Sequence, residues 1–302
     1  MKAGSLLIRP LRRPATVQRS EDDLALRNAD QARPSFERDW LSLWTTVRDR
    51  ISPTDLALRL ERDGSHAETV PWGDIRDQLT TIYISHLGSL AKKTAIETVP
   101  STLAVRFADP VETSLEFRLR LLRAEEYLGS PEFQRILTTL TSQEVEAVRQ
   151  LLETSFSQGI APLEIAAQIK NAIGLTPEYL QAISRYSRNL TVPDARRELL
   201  TERYRNKLLR YRAETIARTE TIRAANIGQL RSWRTAADQG LLPANRTRRL
   251  WIITPDDKLC GRCLSLRDTT TTLSGVYRVG SLYVTTPPAH PRCRCAMGLV
   301  FV

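Results

Sequence analysis

The chain reads as mainly α: a helical N-terminal region and a long helix leading into a small β-rich C-terminal unit, an α+β arrangement. Three observations predict this. Apolar residues recur at three- and four-residue steps over most of the first 240 positions. No proline interrupts the stretch from Asp194 to Gly240, long enough for one extended helix. After Gly240 the composition turns to β-branched and aromatic runs between turn residues, and all four cysteines gather there.

Taken in order, residues 1–35 are rich in Arg, Pro and Asp with no sustained apolar period, which predicts an extended basic arm. A helical domain is expected over 36–192. Its first helix includes Trp40, Leu41, Leu43 and Trp44 and stops near Ser52-Pro53. Leu56, Leu58 and Leu60 continue an apolar pattern up to Gly64. Residues 73–98 place Ile75, Leu79, Ile82, His86, Leu87 and Leu90 on one stripe, with His86 expected as a hydrogen-bonded boundary residue rather than a ligand. Pro100 and Pro110 bracket a loop, and 112–127 align Leu115, Leu119 and Leu122 on a helix. Ser130-Pro131-Glu132 starts the next helix and Thr141-Ser142-Gln143-Glu144 another. Pro162 and Pro177 open two short ones, the first ending at Gly174. Residues 193–302 form the last unit. It starts with a long basic helix, expected to carry a break, in which Leu209, Ile216 and Leu230 share one face with Arg223. Strands at 250–253 and 299–302 and a hairpin over 275–284 complete it.

With 302 residues, 41% of them hydrophobic and 26% charged, the composition is that of a globular protein, and no apolar run approaches the length that spans a bilayer. The net charge is +10, which favours polyanionic partners or acidic protein surfaces. Two segments account for the excess. Residues 1–20 carry Lys2, Arg9, Arg12, Arg13 and Arg19 and no acid, and Arg196–Arg234 carries eleven bases against four acids. Arg9, Arg12, Arg13, Arg203, Lys207, Arg210 and Arg212 are therefore the expected contacts to nucleic acid or an acidic surface, against the plainer reading of a solvated helix face.

The cysteines stand as Cys260-Gly-Arg-Cys263 and His290-Pro-Arg-Cys293-Arg-Cys295. C-x-x-C turns two thiolates toward one point, and H-x-x-C supplies a second pair, so soft N/S ligands can close a tetrahedral site. Zinc is the metal such ligands select, in a structural role. Five donors, Cys260, Cys263, His290, Cys293 and Cys295, compete for four positions, and a closed site leaves no open position for metal catalysis. The competing reading is two disulfides or free thiols. The N-terminus lacks the apolar core of a secretory signal, which favours a reducing compartment and hence metal. Asp256 and Asp257 are expected to accept backbone N–H groups in the turn before Cys260.

Four segments of the last third resemble, in identity and order, the phage Mu F-like minor head (head morphogenesis) family. They are Gly174-Leu175-Thr176-Pro177 with Tyr186; Ile216-Ala217-Arg218-Thr219-Glu220-Thr221 followed by Ala224-Ala225-Asn226-Ile227-Gly228; Trp251 through Asp256 to Cys260-Gly261-Arg262-Cys263; and Pro287-Pro288-Ala289-His290-Pro291-Arg292-Cys293-Arg294-Cys295. The resemblance covers roughly residues 170–302. It departs where relatives carry a glycine soon after the second cysteine and this chain has Leu266-Arg267-Asp268.

The resemblance implies a low-copy structural protein of a tailed bacteriophage head, associated with the portal vertex inside the capsid and made in the host cytoplasm. Its role would be in head assembly, DNA packaging or DNA delivery. Its implied partners are the portal and other capsid proteins, with packaged double-stranded DNA as the further partner that the basic segments suggest. Neither a membrane nor a small-molecule substrate is expected, and no enzymatic activity. Arg218, Glu220 and Asn226 in the best-matched helix are read as a buried polar network, with a catalytic Arg–Glu pair as the weaker alternative. Two other classes compete: a zinc-ribbon DNA-binding protein, and a toxin or hydrolase, for which no Ser-His-Asp order or H-E-x-x-H motif is present.

Overall fold

A computed structural model describes residues 18–64, 70–104, 131–254 and 259–302. The protein is mainly helical, with a small antiparallel sheet at its C-terminal end, as the sequence predicts. The helix expected over 112–127, the turn at Asp256 and Asp257, and Arg9, Arg12 and Arg13 lie outside the described residues.

The first helix, α1, runs Gln18–Arg50, so the expected arm is helical from Gln18 onward. Pro34 sits inside α1 and reads in sequence as a boundary, since it cannot donate to the helix ladder. The face holds because Ala25, Ala29, Phe36, Trp40, Trp44 and Val47 keep helical spacing across the proline and all are buried. Ser35 Oγ donates to the Ala32 carbonyl at 3.0 Å, using an acceptor next to the interruption. Farther up α1, Asn28 Nδ2 donates to Glu97 Oε2 at 2.7 Å and to Thr94 Oγ1 at 3.3 Å, so this stretch is docked by polar contacts as well as by burial.

Helix α2 (Pro53–Asp63) starts where expected: the Ser52 side chain accepts from Asp55 N and Pro53 takes the first turn. Leu56 and Leu60 are buried, whereas Leu58 is exposed. Helices α3 (Trp72–Tyr83) and α4 (Ser89–Ala104) are joined by a π-helical turn, Ile84–Gly88, so α4 runs through Pro100. His86 lies on that turn, with Nε2 2.7 Å from Asp39 Oδ2, as the expected boundary histidine.

Helix α5 spans Pro131–Ser157 without the expected new start at Thr141. Ser142 Oγ donates back to the Thr139 carbonyl at 3.0 Å instead of capping a helix. Helices α6 (Pro162–Ala172) and α7 (Pro177–Arg188) follow. Helix α8, Asp194–Asp238, is one unbroken helix of 45 residues, so the expected break is absent. At about 1.5 Å per residue it is roughly 66 Å long.

Two hydrophobic cores meet on α8. The helical core draws on α1 to α6 and on α8 as far as Ile227. The second core takes in Ala95 of α4 and, from Leu230 of α8 onward, Trp233, Trp251, Cys263, Cys293, Cys295 and Met297. The long helix expected to open the C-terminal unit at 193 thus gives about its first three-quarters to the N-terminal core. It crosses α4 closely at Gly228, where a Cβ would lie 2.2 Å from the Ala91 carbonyl oxygen, so only glycine permits this approach.

Beyond α8, strand β1 (Thr247–Ile252) pairs antiparallel with β5 (Ala296–Phe301) on one side and with β2 (Thr270–Thr272) on the other. The one-turn helix α9 (Gly261–Leu264) lies between β1 and β2, and β3 (Tyr277–Val279) and β4 (Leu282–Val284) form the expected hairpin. Strand β2 comes from a run of threonines that has no apolar alternation to announce it, although its β-branched side chains suit a strand.

Candidate metal centre

Each half of the Cys/His motif is shaped by a short backbone turn. Cys260 caps α9: its Sγ accepts from the backbone N–H of Cys263 at 3.4 Å, and its carbonyl accepts from Leu264 N at 3.0 Å. This turn brings Cys263 beside Cys260. In the other half, Cys293 N donates to the His290 carbonyl at 3.1 Å, and Arg292 closes the turn in the left-handed region at φ 62.

The two halves face each other. His290 Nε2 lies 3.1 Å from Cys260 Sγ and 3.0 Å from Cys263 Sγ, and Cys263 Sγ lies 3.7 Å from Cys293 Sγ. The five donors form two groups that share Cys263. One is Cys260, Cys263 and His290; the other is Cys263, Cys293 and Cys295; within each, the ligand atoms lie within 4.8 Å of one another. Tetrahedral bonds of about 2.3 Å to sulfur give S···S edges of roughly 3.8 Å, so the Cys263–Cys293 separation already has the right size. All four cysteines are free thiols, so the disulfide reading finds no support here.

The imidazole is oriented for ligation. His290 Nδ1 is 2.8 Å from the Pro291 carbonyl oxygen, which can only accept, so Nδ1 carries the proton and the Nε2 lone pair faces the thiols. The thiols crowd one another in a buried setting. Burial, with the Cys293 charge behind it, pushes the Cys263 thiol up to about 12. Hydrogen bonding from Cys295 draws Cys293 down to about 5, and the same bond, with burial, drives Cys295 upward. Thiolates packed this closely in a buried setting disfavour one another, whereas a divalent cation would stabilise several together. The donor set fits a metal ion.

Compared with known proteins, the chain matches no family model, no curated protein and no solved structure.

The metal loop is held to α8 by a residue that the sequence reading assigned no role. Arg292 donates from its backbone N to Thr219 Oγ1 at 3.0 Å, from Nη1 to Thr215 Oγ1 at 3.1 Å and from Nη2 to Glu214 Oε1 at 3.0 Å. Its guanidinium also lies 4.8 Å over the Tyr211 ring. The available signal was its position between His290 and Cys293, which fixes where its backbone must go. Arg249 was missed as well. It is fully buried in β1 and donates to the carbonyls of Thr272 at 2.9 Å, Thr285 at 2.5 Å and Gly275. Burial holds its pKa down to about 10. In sequence the pair Arg248-Arg249 looks like ordinary surface charge.

The basic helix divides into two classes. Arg203, Lys207 and Arg210 are exposed on α8. Arg212 is not a surface contact: it is buried and donates to Glu144 Oε1 at 2.6 Å and to the Gly174 carbonyl at 2.7 Å, with Trp40 beneath its guanidinium. Arg205 behaves in the same way, donating to the Asn171 carbonyl at 2.8 Å. Both arginines satisfy carbonyls at the end of α6, where the helix leaves acceptors unpaired.

Arg218, Glu220 and Asn226 do not form the expected mutual network. Glu220 pairs with Arg223 at 3.0 Å, Asn226 Nδ2 donates to the Ile222 carbonyl at 2.8 Å, and Arg218 is half-buried, its side chain without a hydrogen bond among the described residues. The residues step by two and six along α8, which points them to different sides. No described helix is long and apolar enough to cross a membrane.

Proposed function

We propose that this chain is a structural minor head protein of a tailed bacteriophage, of the Mu F-like kind, that binds one zinc ion as a clasp. It works at the portal vertex inside the capsid, with the portal and other capsid proteins as partners, in head assembly and DNA packaging or delivery. It performs this role without a catalytic reaction or a small-molecule substrate. The observation that carries this reading is that the four segments resembling that family, dispersed in sequence, gather along α8: the first docks on it upstream of the second, and the second, third and fourth join at the Cys/His core. Gly174 accepts from Arg212, Tyr186 stacks on Tyr204 of α8 at 4.4 Å, Thr219 accepts from Arg292, and Trp251 packs in the core that holds Cys263, Cys293 and Cys295. A shared architecture accounts for the direct contacts among the second, third and fourth segments.

Cys260, Cys263, His290 and Cys293 are the proposed ligands. Cys263 touches both neighbours, and the two turns present C-x-x-C and H-x-x-C as paired donors. Bound zinc supplies no chemistry beyond charge neutralisation and cross-linking: it would join the α9 turn to the Arg292 loop and so to α8. The zinc-ribbon regulator reading is disfavoured because the helix beside the cluster, α9, has only four residues, too few for a recognition helix. Mass spectrometry of purified virions tests the head assignment, with the chain expected at low copy. Its absence from particles that contain portal protein would refute it.

A further inference from the structure

We infer that one face of α8, continued by the Arg292 loop, is a ridge that binds the phosphate backbone of double-stranded DNA. Arg196, Arg203, Lys207, Arg210 and Arg218 follow one another at steps of seven, four, three and eight residues. At about 100° per residue all five fall within a sector of roughly 80°, so they form one line along the helix. The first four are exposed, and none of the five side chains has an ion pair or hydrogen bond among the described residues. Glu214 is the acid on this line, and Arg292 already holds it at 3.0 Å. Glu198 and Glu202 fall off the line, and Glu202 is engaged by Arg48 at 3.2 Å and Asn206 at 3.1 Å. The face therefore presents five cations along a straight run of about 33 Å, with the Arg292 guanidinium beside them.

The spacing and the chemistry favour nucleic acid over an acidic protein. Neighbouring arginines in the series Arg196, Arg203, Arg210 and Arg218 are about 10.5–12 Å apart along the axis, close to the ~12 Å width of the major groove, so one adjacent pair can bridge its two lips while the others follow the flanking backbone. A protein partner would need a desolvated apolar anchor. The large apolar groups exposed near this stretch are Leu199 and Tyr211, and the Arg292 guanidinium already covers the Tyr211 ring. Arg218 is the most constrained member. Burial, followed by the fields of Arg33 and Arg292 and offset in part by Glu214 and Asp30, lowers its pKa. Such contacts are sequence-independent, because they reach phosphates and no base edges.

The inference deepens the proposed virion role by naming duplex DNA as a direct ligand, and it rests on that role only for its setting. The test is fluorescence anisotropy of the full chain on a random-sequence duplex of about 30 base pairs, over about 50–200 mM salt, where each phosphate contact adds about 0.9 to the salt slope. The triple variant Arg203→Gln/Lys207→Gln/Arg210→Gln should bind at least tenfold more weakly and show a slope shallower by about 2.7, with an unchanged melting curve, because all three side chains are exposed. Unchanged affinity and slope in the triple variant would overturn the inference. So would loss of binding confined to an Arg9→Gln/Arg12→Gln/Arg13→Gln variant, which would assign the contact to the N-terminal segment. Equal affinity for polyglutamate would redirect the ridge to acidic proteins and overturn duplex DNA as its ligand. The head assignment fails separately, through absence of the wild-type chain from virions.

Discussion

Three buried arginines, Arg205, Arg212 and Arg249, show why residue type alone misleads in this chain. Arg249 and Arg205 bind mainly backbone carbonyls, and Arg212 binds the Gly174 carbonyl together with the Glu144 and Gln143 side chains, so each acts as a staple. Arg212 and Glu144 form the most consequential pair. Burial raises Glu144 to about 7 despite Arg212 beside it. Its folded pKa exceeds the unfolded value, so the folded state holds the proton more tightly, and this contribution is present below pH 4.5 and lost as pH rises through about 7. The group should therefore impose a fall of roughly 3 kcal/mol in unfolding free energy across that window. Denaturant titrations at several pH values should show this slope in the wild type and not in Glu144→Gln. Arg212→Met should destabilise by about 3–5 kcal/mol at neutral pH, since it leaves a buried carboxylate and the Gly174 carbonyl without their donor. A cost below about 1 kcal/mol would show that the pair is not buried in solution. The metal donors were readable in sequence because chelation needs fixed residue types at fixed spacing. Arg249 was not, because nothing local distinguishes a buried arginine from an exposed one.

Among the elements, helix starts marked by proline were legible, as at Pro162, Pro177 and Ser52-Pro53, where the serine side chain also caps. The failures share a cause: a local stop signal outweighed by tertiary packing. Pro34 and Pro100 lie within helices and the polar run at Thr141 passes through α5; at Pro34 the interrupted face is held by buried neighbours such as Phe36 and Trp40. The crossing of α8 and α4 depends on Gly228. Gly228→Ala should force the helices apart and cost about 1–3 kcal/mol, read as a lowered melting temperature. No change would mean that the two helices do not meet there. The metal loop is the second vulnerable element. Arg292→Ala removes its two side-chain bonds to α8 and its packing on Tyr211 while keeping the backbone bond to Thr219, and should weaken zinc binding about 10- to 100-fold by competition with a chromophoric chelator, while Arg292→Lys recovers only part, because one ammonium cannot span Thr215 and Glu214.

At the scale of the whole molecule, the two cores predict separable stabilities. The helical core owes nothing to the cysteines, whereas the second core is small and has three of them in its interior. Elemental analysis should give one zinc per chain, lost in Cys260→Ser/Cys263→Ser. Chelation should then raise hydrogen exchange over residues 241–302 and leave α1 protected. Uniform loss of protection would show instead that the metal supports the entire chain. The division between cores was not legible, because composition changes at Gly240 while packing changes between Ile227 and Leu230, inside a helix whose pattern is continuous.

That division also orders events during synthesis. The buried residues of the helical core run from Ala25 to Ile227, and the first thiol is Cys260. A chain made from its N-terminus can complete that core, with most of α8 already helical, before any metal ligand leaves the ribosome. If the proposed clasp binds zinc, it closes onto a finished surface where Thr215 and Thr219 await Arg292. On that reading a cell short of metal would accumulate a folded body with a loose end, and ion supply would decide how many chains mature without deciding how many fold.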